Sequence, residues 1–333
     1  MKTQLFSCLI FALVLSLVAL SDPVWSQDKP APKPAAKPAE KPAEKKPESE
    51  TKHVTSTAKA ELTQPDSGQD GPRQISVPQL ITLLEAEAAK NNPQAMSYLG
   101  SIYEQGVGQP SPNFGKALEW YQKAAALDLP EALYAVGICY EWGKGIGPDT
   151  AKAVTYYEKS AAKGFAQAEE KVANIYLSGY YGVKQDVAKG LDYLQKASSK
   201  GFTRAMKHLG AIYYFGQYDQ TRDLTKALNF FTQAAEAGDP EAMKNLGAMS
   251  NSGEGIQANK TEGYKWFLLA KEFGFSPQDM DKTLEELRKD LKPEQIKTAQ
   301  AEAKNWGDKL RARREAQEKA RQEALAAAQA AAK

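Results

Sequence analysis

ALYAVGICYEWGKGIGPDTAKAVTYYEKSAAKG, from Ala132 to Gly164, decides the fold, because the chain repeats its pattern five times. The alanine that opens it stands at Ala95, Ala132, Ala168, Ala205 and Ala242, at steps of 37, 36, 37 and 37 residues. Five residues on comes a small residue: Gly100, Gly137, Ala173, Gly210 and Gly247. Three further on come Tyr103, Tyr140, Tyr176 and Tyr213, until Ser250 breaks the column, and a glycine then follows in every copy, from Gly106 to Gly253. A fixed period in the range of about 20 to 50 residues is the mark of a stacked array.

Each period predicts two helices. Asn92 before Pro93 and Asp239 before Pro240 put a capping side chain ahead of a proline at the first helical position. The first helix of copy one is expected over about 93–105, with Gly106 letting the chain leave at positive φ. Asn113, Asp149, Asp186, Asp223 and Asn259 mark the start of the second helices, each four residues before Ala117, Ala153, Gly190, Ala227 or Gly263. An aromatic pair follows, such as Trp120-Tyr121 or Phe230-Phe231, and then alanines. A glycine inside a helix costs about 1 kcal/mol relative to alanine. Its return in four of the five first helices implies close approach, with the neighbouring helix's rings received by small residues.

One such hairpin cannot bury its apolar side alone, so the ends of the array need atypical caps. Val77 to Lys90 reads as a lone second helix; Pro277 to Leu291 and Pro293 to Trp306 read as capping helices. The expected fold is all-α: a right-handed α/α superhelix over 77–306. It comprises about five helix-turn-helix repeats (93–129, 130–165, 166–202, 203–239 and 240–275) with capping helices. From Gly307 to Lys333 the alanine-rich charged composition predicts a tail, helical or disordered, with Glu315 and Lys319 forming an i,i+4 pair.

Leu5 to Leu20 is an apolar run of 16 residues, short for a spanning helix, preceded by one lysine and no acid. With small residues at Val24 and Ser26, residues 1–26 read as a secretory signal peptide; the alternative is an uncleaved anchor. Cys8 lies inside the apolar run rather than after it, which argues against a lipid anchor. Residues 27–76 read as a disordered linker rich in proline, alanine, lysine and glutamate, from Lys29-Pro30-Ala31-Pro32 onward. The net charge is +2, so bulk charge favours neither nucleic acid nor membrane as partner. After cleavage one cysteine remains, Cys139, in a column with Ile102, Ile175, Ile212 and Met249, where it reads as a small core hydrophobe.

Chemistry needs convergent special residues, and this chain offers few. His208 and Cys139 are the only histidine and cysteine of the expected folded part, too few for a metal site of those ligands. Ser160-Ala161-Ala162-Lys163 has the spacing of serine acyl enzymes but falls in an ordinary repeat column. Gly143-Lys144-Gly145-Ile146-Gly147 follows no strand, so it reads as a turn rather than a phosphate loop. No catalytic residue, metal or cofactor is expected. Arg311, Arg313 and Arg314 are matched by Glu315, Glu318 and Glu323, which disfavours a nucleic-acid arm.

The column pattern Ala-x-x-x-Leu-Gly-x-x-Tyr-x-x-Gly, the Gly-x-Gly turn, the following Asp and Ala, the paired aromatic and Ala-Ala resemble the SEL-one-like repeat family of α/α solenoids. The likeness spans about residues 77–275. Ala132, Val136-Gly137, Tyr140, Gly143 to Ile146, Asp149, Ala153, Tyr156-Tyr157 and Ser160-Ala161 carry it best. The resemblance implies an adaptor or scaffold, often exported in bacteria. Copies three and four depart from it at Tyr180-Tyr181 and at Tyr218 to Thr221, as a contact edge or as turns that have drifted.

Some first-helix columns do not repeat, and a solenoid's inner face is lined by first helices. From these columns, Tyr134, Ile138, Trp142, Lys207 and Phe215 are the candidate groove residues for a peptide or partner helix; otherwise the rings fill gaps between repeats. The function expected is an exported, non-enzymatic protein-binding scaffold, periplasmic or secreted. Its rivals are an envelope-tethered spacer and, last, a cell-wall hydrolase.

Overall fold

The computed structural model describes residues 76–275 and 280–331. The expected signal segment and all but the last residue of the expected linker lie outside the described residues, as do positions 277–279 of the expected first capping helix. Among the described residues there are thirteen α-helices and no strand.

Helix α1 (Val77–Ala88) precedes five hairpins. These are α2 (Pro93–Gln105) with α3 (Phe114–Ala126), α4 (Pro130–Trp142) with α5 (Thr150–Ala162), and α6 (Ala166–Ser178) with α7 (Val187–Ser199). The last two are α8 (Thr203–Phe215) with α9 (Leu224–Glu236) and α10 (Pro240–Ser252) with α11 (Lys260–Glu272). Two closing helices follow, α12 (Met280–Asp290) and α13 (Pro293–Ala331). Each of the ten repeat helices has 13 residues, which makes each about 20 Å long. From α1 to α10 each helix packs mainly on its neighbours in the chain, so the array is a superhelix built in one dimension, and α11 packs on α10 and on the closing helix α13.

Local chemistry explains the uniform lengths. Asn113, Asp149, Asp186, Asp223 and Asn259 each accept a hydrogen bond from the backbone N–H three residues on, at 2.9 to 3.1 Å. Asn92 and Asp239 do the same for α2 and α10. Helices α4, α6 and α8 have no side-chain cap. They start instead at Leu129, Phe165 and Phe202, and all three side chains pack against the core. Every first helix ends on a left-handed glycine, from Gly106 to Gly253.

The hairpins are locked by ring against glycine. A Cβ at Gly100, Gly137 or Gly210 would stand 2.6 Å from the ring of Tyr121, Tyr157 or Phe231. The third repeat exchanges the parts: Ala173 replaces the glycine, Leu194 replaces the ring, and the glycine moves to Gly190, whose Cβ would meet Leu177 Cγ at 2.6 Å. Outside this lock, Tyr140 stacks on Tyr156, Tyr176 on Tyr193 and Tyr213 on Phe230, with centroids 5.7 to 6.4 Å apart. A lysine from the start of the second helix lies over the same tyrosine column: Lys116 over Tyr103, Lys152 over Tyr140, Lys189 over Tyr176 and Lys226 over Tyr213. Ser250 and Glu262 replace both members together in the fifth repeat.

Neighbouring repeats are tied at a constant spacing. Lys144 pairs with Glu104 at 2.8 Å, Tyr181 donates to Glu141 at 2.6 Å and Tyr214 donates to Glu254, each across 40 residues. The Gly-x-Gly turn makes room for this tie by pressing on the preceding repeat. A Cβ at Gly145 would stand 2.3 Å from the carbonyl oxygen of Phe114, the first residue of α3.

At the C-terminal end the helical alternative for the tail holds, and it is continuous with the last capping helix: α13 runs through Gly307, where a Cβ would stand 3.2 Å from Glu272 Oε1. Packing continues for two more turns. Trp306 meets Trp266 edge-on at 5.3 Å, Leu310 is buried beside Ala303 and Met206, and Arg314 donates to the Ala237 carbonyl at 2.9 Å, just past the end of α9.

Candidate functional site

First helices α6, α8 and α10 line a groove of about 700 Å³. Helix α8 supplies Arg204, Lys207, His208, Ala211, Tyr214 and Phe215. Glu170 comes from α6; Glu241, Lys244, Asn245 and Ala248 come from α10; Phe231 comes from α9 behind them. The helical repeat sets this arrangement. Glu170, Lys207 and Lys244 occupy one column of the period, and Ala211 and Ala248 lie four residues further along their helices, on the same face. The two alanines leave the floor shallow and Phe215 forms a wall.

Two ion pairs span the repeats here. Arg204 donates to Glu170 at 2.9 Å, and Asn174 donates to the other oxygen of that carboxylate at 2.8 Å. Lys207 reaches Glu241 at 2.6 Å and Asp239 at 3.3 Å. Burial acts to raise the Glu241 carboxyl, but the Lys207 hydrogen bond and charge outweigh it and hold the group below its ordinary range. Burial likewise opposes the charged form of Lys207, and its two carboxylates still raise it. His208 is different: burial lowers its imidazole below the ordinary value, against the opposing charge of Glu170. It is therefore neutral at pH 7. Lys244 lies 5.1 Å from the centroid of the Phe275 ring.

Phe215 is 67% exposed. Its base is firm: the ring meets Tyr214 edge-on at 4.8 Å, and Tyr214 is held by Glu254 of the next repeat, which Arg222 also binds.

Lys207 and Phe215, expected in a groove, lie together in this one. Trp142 is 53% exposed but does not line it, because it ends α4 and the groove is built by α6, α8 and α10. Ile138 is half-buried against the N-terminal core. Tyr134 must be corrected. It is buried, with its ring 5.2 Å from Tyr157 and 5.5 Å from Phe165, because Phe165 at the next repeat's entry draws it inward. Sequence reasoning passed over Arg204, His208, Tyr214 and Asn245. The column Glu170, Lys207, Lys244 was the signal nearest to Arg204, His208 and Asn245, which lie within a turn of it, and Tyr214, two turns from Lys207, had none.

Cys139 lies elsewhere, buried in the core, and burial pushes its thiol up to about 12. Among the described residues no group of three or more His, Cys, Asp or Glu side chains is placed to hold a metal ion.

These features define an α/α solenoid built of helix-hairpin repeats. The chain belongs to the Sel1 repeat family: the family model described as Sel1 repeat matches residues 93–129, 130–165, 166–202, 203–239 and 240–272. Sel1 repeat proteins typically mediate protein–protein interactions, and the family is generally non-catalytic. Chitin synthase regulatory factor 3 of Schizosaccharomyces pombe is 38% identical over 90 residues, 27% of this chain and 10% of that protein. DAP3-binding cell death enhancer 1 of Rattus norvegicus is 30% identical over 112 residues, 34% of this chain and 21% of that protein. The chain thus spans a minor part of the curated relatives it matches. A Sel1 repeat protein from Oxalobacter formigenes has a solved structure that superposes with a TM-score of 0.59 at 28% identity, covering 70% of this chain and 93% of that one.

Proposed function

We propose that the chain is an exported, non-enzymatic scaffold that binds a partner protein in the groove of repeats three to five. The observation that carries the reading is the groove itself: an exposed phenylalanine on a firm base, a shallow alanine floor and charged side chains already oriented by ion pairs. Exposed aromatic residues of this kind are typical interface anchors. Preorganisation lowers the entropy lost on binding. The apolar run from Leu5 to Leu20 and its small-residue flank support export to the periplasm or the medium.

A photo-crosslinking residue at Ala248, in the groove, tests this against one at Gln195, exposed on second helix α7. In the cell that makes the protein, Ala248 is expected to give a discrete protein adduct in the exported fraction, and Gln195 none. Equal adducts at both positions, or none at Ala248, would remove the groove from the account.

A further inference from the structure

We propose that the groove takes an extended acidic peptide segment, one that sets a carboxylate against Lys244 and a large apolar side chain against Phe215. The inference rests on the scaffold reading above and names the chemistry of its partner.

One lining cation gives the sign. Arg204 is matched by Glu170, and Lys207 by both Glu241 and Asp239. Lys244 acts on Glu241 through its charge alone, with no carboxylate within ion-pair distance among the described residues, and its ammonium lies over the Phe275 ring. A half-buried cation in this state attracts a carboxylate, whereas a lysine or arginine brought to the same place is repelled. The polar groups near the floor explain why the partner is extended. His208 and Asn245 stand in the same register of α8 and α10, and no hydrogen bond engages either side chain among the described residues. A neutral imidazole offers one donor and one acceptor, and a carboxamide offers both. That is the demand of a main chain whose own N–H and C=O groups are unpaired, as in an extended segment and not in a helix. Phe215 then supplies the apolar contact, beside the two alanines that leave room for a side chain.

The test is selection of random heptapeptides on the full chain, followed by synthesis of the enriched peptides and fluorescence-polarisation titration. The titrations compare the parent chain with K244E, K244A and F215A, melting temperature being recorded for each. Enriched peptides are expected to combine Asp or Glu with an aromatic or leucine residue, and K244E to bind them about tenfold more weakly or worse. A peptide matching Lys29–Pro47 of this chain, with six lysines and two glutamates, serves as the probe of opposite charge and is expected not to compete. If the enriched peptides lose binding in F215A but are not acidic, or keep full affinity for K244E and K244A, the acidic partner is wrong and the groove stands. If no peptide is enriched, or binding ignores F215A, both the inference and the scaffold reading fall.

Discussion

The ring of Phe231 lies where a Cβ would have to stand at position 210, 2.6 Å away, so the hairpin of repeat four closes only on glycine. Alanine there overpacks a core that has no slack, and G210A is expected to destabilise the chain by about 1–3 kcal/mol. The third repeat shows the compensated form, Ala173 facing Leu194. G210A combined with F231L should therefore lose less than the sum of the two single losses, a coupling of roughly 0.5 kcal/mol or more measured by a double-mutant cycle in denaturant. His208 gives a second prediction at this scale. An unfolded imidazole titrates near 6.5, and burial sets the folded value lower. Between the two values only the unfolded chain takes up the proton, so stability falls as pH drops through that window. Calorimetry of H208Q should show a flatter dependence of melting temperature on pH below about 6.5, and the His208 ring protons of the parent should titrate below a peptide reference. The glycine column was legible because it repeats. Glu104 with Lys144 and Tyr214 with Glu254 were not, because the tie conserves a place while the residues that fill it change from acid and base to phenol and acid.

Among the helices, the starts of the second ones were legible, since an Asn or Asp at each N-cap repeats with the period and makes the hydrogen bond its position demands. The closing helix was harder to read. Glycine at position 307 suggests a break and the charged composition beyond it leaves helix and disorder both open, yet one helix runs from Pro293 to Ala331 with Gly307 passing close to Glu272. Charged residues beyond it also do local work: Arg311 binds Glu272 and Asp308, and Arg314 caps the carbonyl end of α9. Leu310 is the apolar member of this seam, buried with Met206 and Trp266. L310A is expected to cost about 2 kcal/mol or more, read by urea denaturation. A chain ending after Trp306 should lose at least as much, and one ending after Glu318 much less. Equal stability of all three would mean that α13 beyond Trp306 contributes nothing to the fold.

For the whole molecule, periodicity made the architecture legible and left the working surface displaced. The columns that do not repeat were the right ones to inspect, and they do supply Lys207, Phe215 and Ala211 to the groove. Tyr134 and Trp142 share those columns and lie outside it, because a column fixes the face of a helix but not which repeats build the groove or where a ring turns a side chain inward. Only the stacked neighbours decide that. Hydroxyl-radical footprinting of the full chain in its native cells, compared with the purified chain, shows whether the groove is occupied. Phe215, 67% exposed when the chain is alone, is expected to be protected in the cell, while Phe114, 39% exposed in the first repeat, is labelled alike in both. Equal labelling of Phe215 in the two samples, or protection of Phe114 instead, would contradict an occupied groove.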